Sequence, residues 1–376
     1  MKEGIKTFLY WFFRTVFPIN RNRILFESYY GAQYGCNPKY LSEYIVDNCR
    51  DLKVSWAFVG VHPTIKGVNI IKYNSIHYLY ELATTCFFVT NYRTTNRFRK
   101  RKGQIYIQTW HSSLRLKMIE KDVEDSLKPG YVEMAKNDSR NIDYLISGCR
   151  ASSEIFRRAF WYDGPILEVG TPRNDFLIQK PNESKKADIK QFLGIAAKSK
   201  VVMYAPTFRK DYSMDCYDID YNLLLKSLKK KFGSADWIVV LRLHPHLRDY
   251  SSQLIAANPL LIDATAYPDI QELLYVADVL ITDYSSLMFD YLFTKRPCFI
   301  YAKDLDSYIK NDRGLYFKIS DLPFSVSTSQ DDLNRRILEY NKNVALLEYD
   351  RFISDIGSYE DGRASEKITN IIKRYL

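Results

Sequence analysis

The sequence predicts an α/β protein of two Rossmann-like domains facing a cleft, with C-terminal helices crossing back. Three observations carry that expectation. Short apolar runs alternate with helical patterns, as in parallel sheets covered on both faces. The alternation stops at a polar stretch, QKPNESKKAD (179–188), and then restarts. A length of 376 residues suits two domains of roughly 150 to 180 residues better than one.

The expected boundaries are an opening segment over 1–22, a first Rossmann-like domain over 23–180, a second over 190–345, and a helical tail over 346–376 that returns to the first. In the first domain, RILFES (23–28), VSWAFVG (54–60), CFFVTN (86–91), QIYIQTW (104–110) and YLISG (144–148) read as strands, with helices over 38–48, 76–84 and 151–160; ILEVGTPRND is a strand entering a loop. In the second, the strands are KVVMYAPTF (200–208), WIVVLRLHP (237–245), LLID (260–263), VLITDYS (279–285) and RPCFIYA (296–302), with helices over 220–231, 269–276 and 286–294. Residues 331–376 are helical by pattern.

Hydrophobic residues at 46% and charged residues at 26% place the chain among globular rather than disordered proteins. The net charge of +10 attracts polyanions. Nucleic acid is not the expected one, because there is no RNP-type aromatic motif, zinc-finger spacing or sustained basic arm. The six scattered cysteines show no pairing rhythm and read as reduced thiols of a cytoplasmic protein. No apolar run is long enough to span a bilayer. The opening segment still holds six consecutive apolar or aromatic residues, Phe8 to Phe13, flanked by Lys2, Lys6, Arg14, Arg21 and Arg23. It fits an interfacial anchor on anionic lipid, or else a first helix docked on its own protein. The densest positive run, Arg93, Arg97, Arg99, Lys100, Arg101 and Lys102, reads either as a solvated loop or as a contact for anionic lipid or acceptor pyrophosphate.

The strongest chemical signal is ADVLITDYSSLMFDYL (277–292), a strand turning through Asp283, Ser285 and Ser286 into a helix. Serine at a helix start caps it, and the free N–H groups there form an anion site; the plainer reading is a cap with nothing bound. In WIVVLRLHPHL, Arg242 and His244 emerge at the carboxyl end of a strand, where open α/β sheets bind ligands, while His246 looks like loop surface. In IYIQTWHSSLRLKMIEKD (105–122) a strand delivers Trp110 and His111 into a turn with Ser112 and Ser113, ahead of Lys117, and His111 can serve as a general base toward an acceptor hydroxyl. VGTPRNDF offers Arg173 and Asn174, and MYAPTFRKD offers Thr207 and Arg209. The acidic pairs Asp218/Asp220 and Asp304/Asp306 read as solvated turns, so no metal is expected.

Taken in order, QTWHSSLRLKMIEKD, GTPRND, YAPTFR, LRLHP, ADVLITDYSSLMFDYL, RPCFIYAKDLDSY and DGRASEKI resemble the successive blocks of the CDP-glycerol glycerophosphotransferases of teichoic acid and capsule synthesis, over about 85–375. The resemblance implies a GT-B-like architecture, with a lipid-linked (undecaprenyl) acceptor on the first half and CDP-glycerol or CDP-ribitol on the second. It implies no cofactor and a peripheral place at the cytoplasmic face of the membrane. The family's base falls on His111 and its second histidine on His244. Its donor cradle falls on Ser285 and Ser286 with Asp283 nearby, joined by Thr207, Arg209 and Arg242. Trp110, Ser112, Lys117, Arg173 and Asn174 fall to the acceptor. Ser112-Ser113-Leu114 stands where the family has Gly-Thr-Pro, which bears on acceptor specificity more than on chemistry. The absence of a long N-terminal extension resembles the short members, primases among them. Rival expectations are a sugar transferase on the same scaffold and a noncatalytic membrane-bound scaffold.

Overall fold

A computed structural model describes residues 2–180, 182–209, 217, 219–244, 247, 251, 254–256, 258, 260–311 and 314–376. The chain divides into two compact units, one of Met1–Ser113, Ile119–Ile178 and Gly357–Leu376, the other of Leu114–Met118 and Gln179–Ile356.

The first unit contains, in order, α1 (Glu3–Val16), β1 (Asn20–Phe26), α2 (Cys36–Asn48), β2 (Lys53–Phe58), β3 (Val68–Lys72), α3 (Ile76–Thr84), β4 (Thr85–Thr90), β5 (Ile105–Gln108), α4 (Pro129–Ser139), β6 (Tyr144–Ser147), α5 (Arg150–Ala159), β7 (Ile166–Glu168) and α6 (Pro172–Ile178). All seven strands are parallel, in the order β3-β2-β1-β4-β5-β6-β7. Strand order reverses between β1 and β4, which makes the carboxyl ends of these strands and of neighbouring β5 the place where a doubly wound sheet takes a ligand. The central strands are buried on both faces, and every residue of β4 is inaccessible; this is why they read as unbroken apolar runs.

The second unit opens with α7 (Glu183–Phe192), β8 (Lys200–Ala205), α8 (Tyr221–Phe232), β9 (Trp237–Leu241), β10 (Leu261–Asp263), β11 (Val279–Thr282), β12 (Cys298–Tyr301) and β13 (Ser325–Ser327), with further helices at Ile270–Val276, Leu287–Leu292, Leu305–Asn311, Gln330–Glu339 and Lys342–Asp355. Its parallel order, β10-β9-β8-β11-β12-β13, repeats the same winding, with the reversal between β8 and β11. Asn182 and Asp220 cap α7 and α8 by accepting Lys185 N–H and Leu223 N–H at 3.0 and 2.9 Å.

Several expectations need correction. The strands expected over 200–208, 237–245 and 279–285 end at Ala205, Leu241 and Thr282. Asp283 draws the following loops out of the ladder by accepting Thr207 N–H and Tyr284 N–H at 2.8 and 2.6 Å. The short edge strands β3 and β13 had no apolar run to announce them; β3 buries only Ile71. The helical stretch 331–376 is broken by the Asn341 cap and again by Gly357 and Gly362, whose φ values of +62° and +76° suit residues without a Cβ. Lys342–Asp355 belongs to the second unit, so the return begins at Gly357, not at 346. There Ile368 and Ile372 enter the core around Phe26, Leu41 and Ile45.

The positive run over 93–102 is neither a solvated loop nor, as a block, a docking patch. Arg93 is 2% exposed and pairs with Glu120 and Asp138 at 3.0 and 3.2 Å. Arg97 pairs with Glu3 and Lys100 with Asp143, while Arg101 donates to the carbonyls of Phe17 and Ala83. These cations tie α1, α3 and α4 together because an unpaired buried charge is costly.

A buried acid lies just past the end of β1. Glu27 is 1% exposed and accepts from the Tyr92 hydroxyl. Burial pushes its carboxyl up to about 8, from 4.5. Below the unfolded value the group is protonated in both states. As pH rises toward 8 only the unfolded chain releases the proton, so stability falls across that window. Glu27→Gln is expected to flatten this fall by a few kcal/mol, on the order of what such a shift carries; urea unfolding of both proteins at pH 5 to 8.5 measures it, and parallel curves would exclude it.

Candidate active site

In the first unit β5 ends at Gln108, whose Oε1 accepts Trp110 N–H at 2.9 Å and helps hold Trp110 in a left-handed conformation, φ +48°. That kink presents His111. Its ring stacks on Trp110 at 4.6 Å and lies 6.4 Å from the Tyr29 ring. His111 is partly exposed, whereas Trp110 is 8% exposed and meets Phe160 edge-on at 4.9 Å. The turn is braced from beneath. Asn37 Nδ2 donates to the carbonyls of Thr109 and Trp110 at 3.2 Å, and Ser152 Oγ donates to the carbonyl of Ser113 at 2.6 Å.

The acceptor residues expected around this turn divide by burial. Arg173 is 5% exposed, its backbone N–H given to Asn37 and its Nη1 to Cys36 Sγ at 3.6 Å. Asn174 is fully buried and donates to Glu360 at 3.1 Å. Trp110 and Ser112, at 8% and 7%, are also buried. These four frame the turn and do not face solvent. Lys117 falls in the second unit: Leu116 N–H donates to Ser286 Oγ at 3.1 Å, Met118 N–H to Gly314, and Lys117 Nζ sits 5.2 Å from the Tyr308 ring centre.

In the second unit the reversal between β8 and β11 is occupied by a charged network. Arg209, 5% exposed, gives Nη2 to Asp283 at 2.8 Å, Nε and Nη2 to Asp304 at 2.6 and 3.1 Å, and Nη1 to the carbonyl and hydroxyl of Thr207 at 2.7 Å. Its donors turn inward to Asp283, Asp304 and Thr207, unlike the phosphate clamp expected of it. Asp304 is no solvated turn either: it also accepts the Tyr284 hydroxyl at 3.0 Å, and although burial opposes ionisation, Arg209 holds its carboxyl below the usual range. Asp283 is 1% exposed and organises Thr207 and Tyr284. Arg242 Nη1 donates to the carbonyls of Ala264, Thr265 and Tyr267 at 2.5, 2.7 and 2.8 Å and thereby holds the loop after β10. Asp220, of the other acidic pair, is a helix cap, and Asp218 lies outside the described residues, as do His246 and Cys216.

What remains accessible at this edge is His244, exposed with its ring 5.3 Å from Phe208, together with Thr207, Ser285 and Ser286. Ser285 Oγ accepts Leu287 N–H at 3.4 Å, but the helix it opens has only six residues, so the dipole behind it is short. Each of the two expected histidines, His111 and His244, is thus accessible just past the carboxyl end of a parallel strand of its own unit. Three polar features are not announced by the sequence: Glu27, Glu360 and the pairing of Arg209 with Asp304.

Residues 9–374 match the family described as CDP-Glycerol:Poly(glycerophosphate) glycerophosphotransferase. The chain is 35% identical over 370 residues to the teichoic acid poly(glycerol phosphate) polymerase of Staphylococcus epidermidis, covering 93% of this chain and 50% of that protein. It is 32% identical to the teichoic acid glycerol-phosphate transferase of Staphylococcus aureus, covering 94% and 93%. Identity to the teichoic acid ribitol-phosphate primase of Bacillus spizizenii is 26%, over 100% and 96%. The chain spans about half the length of the poly(glycerol phosphate) polymerases that it matches in S. epidermidis and Bacillus subtilis. Among solved structures, the wall teichoic acid polymerase TagF, in a variant soaked with CDPG, superposes with a TM-score of 0.85 at 33% identity, covering 98% of this chain and 92% of that one. This likeness extends to both parallel sheets and makes the fold GT-B-like.

Proposed function

The chain belongs to the CDP-glycerol:poly(glycerophosphate) glycerophosphotransferase family, and from that premise we propose that it transfers glycerol phosphate from CDP-glycerol to a hydroxyl of a lipid-linked teichoic acid or capsule acceptor, releasing CMP. The observation that carries the reading is the pair of accessible histidines, His111 and His244, each at a ligand-binding strand end of its own doubly wound sheet. Glycerol is favoured over ribitol because identity to the glycerol-phosphate relatives is 28–35%, against 25–26% to the ribitol-phosphate ones.

In this reading the acceptor oxygen attacks the phosphorus that bears glycerol, and the bond from that phosphorus to the bridging oxygen of CMP breaks. His111 takes the hydroxyl proton, and His244 donates toward the departing phosphate. Thr207, Ser285 and Ser286 present hydroxyls to the pyrophosphate, where donors fixed in advance need no reorganisation as charge develops. Arg209, Asp283 and Arg242 contribute by holding those loops still. Rapid-quench incubation with a lipid-linked acceptor and CDP-glycerol, CDP-ribitol or a UDP-sugar tests this. CMP release coupled to a product heavier by one glycerol phosphate is expected; UDP release, or donor left intact by active-site-titrated protein, would refute it.

We further place the protein on an anionic membrane surface. One side of α1 docks through Leu9, Tyr10 and Phe13, while Ile5, Phe8, Trp11, Phe12 and Val16 are 44–68% exposed. Docked on one face and apolar on the other, the helix has the character that an interfacial element requires. Trp11→Ser with Phe12→Ser is expected to reduce flotation with phosphatidylglycerol vesicles at least tenfold without changing the melting temperature; undiminished flotation would move the contact elsewhere.

A further inference from the structure

Where the chain returns to the first unit, Tyr359 N–H donates to the carbonyl of Gly148 at 2.9 Å and Arg150 N–H to that of Gly357 at 2.9 Å. Just past these bonds, Glu360 turns its carboxylate into a cradle of other loops. Oε2 accepts Thr171 N–H at 3.0 Å; Oε1 accepts Thr171 Oγ1 at 2.6 Å and Asn174 Nδ2 at 3.1 Å. No side chain fits on the walls. A Cβ at Gly148 would lie 2.6 Å from Glu360 Oε1 and 2.2 Å from Ser113 Oγ, and one at Gly170 would lie 2.9 Å from Oε2. The same Gly148 gap thus brings Ser113, two residues past His111, alongside the carboxylate. Ser113 is 1% exposed, and its carbonyl is already held by Ser152.

We propose that Glu360 is a positioning residue of the transfer reaction, joining the 170–174 loop to the His111–Ser113 turn and setting the orientation of His111 through its own charge state. The inference rests on the reading of His111 as the base. All three hydrogen bonds to the carboxylate come from donors, so the ionised form satisfies the cradle, whereas the protonated form must turn the Thr171 hydroxyl from donor to acceptor or set an O–H against an N–H. Burial pushes the carboxyl up to about 7, with the Thr171, Asn174 and Ser113 contacts pulling the other way. The exchange between the two forms therefore falls in the working pH range.

Neighbouring charges are otherwise engaged. Asp175 accepts Ala364 and Ser365 N–H, Asp361 pairs with Lys367 and Arg363, Glu168 pairs with Arg157, and Arg173 is given to Cys36. Arg150 packs its side chain against Gly357, and Cys149 Sγ lies 3.6 Å from the Ser113 carbonyl.

The test is Glu360→Gln in the full chain, whose amide resembles the protonated acid. At pH 8 kcat is expected to fall at least tenfold, with KM for CDP-glycerol within twofold of wild type, and the wild-type-to-variant ratio is expected to shrink toward one below pH 6. A role confined to folding would give a ratio independent of pH, and that result would overturn the proposal. A second readout needs no turnover: the backbone amide resonances of Thr171 and Ser113, on the two loops beside Glu360, are expected to show an inflection near pH 7 that Glu360→Gln removes. Loss of that inflection in a protein that never consumes CDP-glycerol would sink the transferase reading and leave the positioning role standing. Its persistence in an active variant would do the reverse.

Discussion

Changing His111 to alanine is expected to slow single-turnover CMP release by roughly 10²–10⁴, the usual contribution of a positioned general base, while CDP-glycerol binds as before. Its ring is partly exposed and rests on Trp110, which a left-handed kink at the end of β5 holds in place. Removing the imidazole therefore leaves the turn's own contacts, from Asn37 and Ser152, intact. Rapid-quench kinetics with calorimetric donor binding separates the two effects. An unchanged rate would remove His111 from the reaction, and a lost affinity would make it a donor contact.

Arg209→Met is expected to be the most destabilising single change in the second unit, by about 3–5 kcal/mol, the cost of leaving buried carboxylates without their cation. Asp283 bears most of it, with a side chain 1% exposed, whereas Asp304 at 25% is partly relieved by solvent. The Thr207 and Tyr284 loops hang on the same network, so activity should fail together with stability. Urea unfolding with a parallel assay at saturating CDP-glycerol decides it. A stable but inactive protein would mean that Arg209 touches substrate after all. Asp283→Asn, which keeps the shape but removes the charge, should lose less.

The two outcomes rest on features that differ in how visible they were. The alternation of apolar runs exposed the central strands because burial on both faces requires it, and β4, β8, β11 and β12 all overlap the expected runs, with β8 and β11 ending three residues early. Motif order also located both histidines at strand ends. It could not say which neighbouring polar residues turn outward. Arg173 and Asn174 carry the right donors for an acceptor, but Asn174 meets a carboxylate 186 positions away, and Arg209 meets one 95 away. Such pairings exist only after the chain folds, and a single sequence holds no local trace of them. The basic run over 93–102 misled for the same reason, since its partners Glu3, Glu120, Asp138 and Asp143 are dispersed along the chain. Glu360 was passed over because it lies in a helix-like tail beside a recognisable DGRAS block, with nothing near it in sequence to pair with.

The return of Gly357–Leu376 to the first unit also orders events during synthesis. The second unit, continuous from Gln179 to Ile356 apart from the earlier Leu114–Met118, takes roughly ten to forty seconds to emerge at 5–20 residues per second. It can close as soon as it clears the ribosome. The first unit meanwhile waits with the floor around Phe26 and Leu41 uncovered until Ile368 and Ile372 arrive. The portion made earliest is completed last, and through that interval the nascent chain displays its own unfinished apolar surface to chaperones.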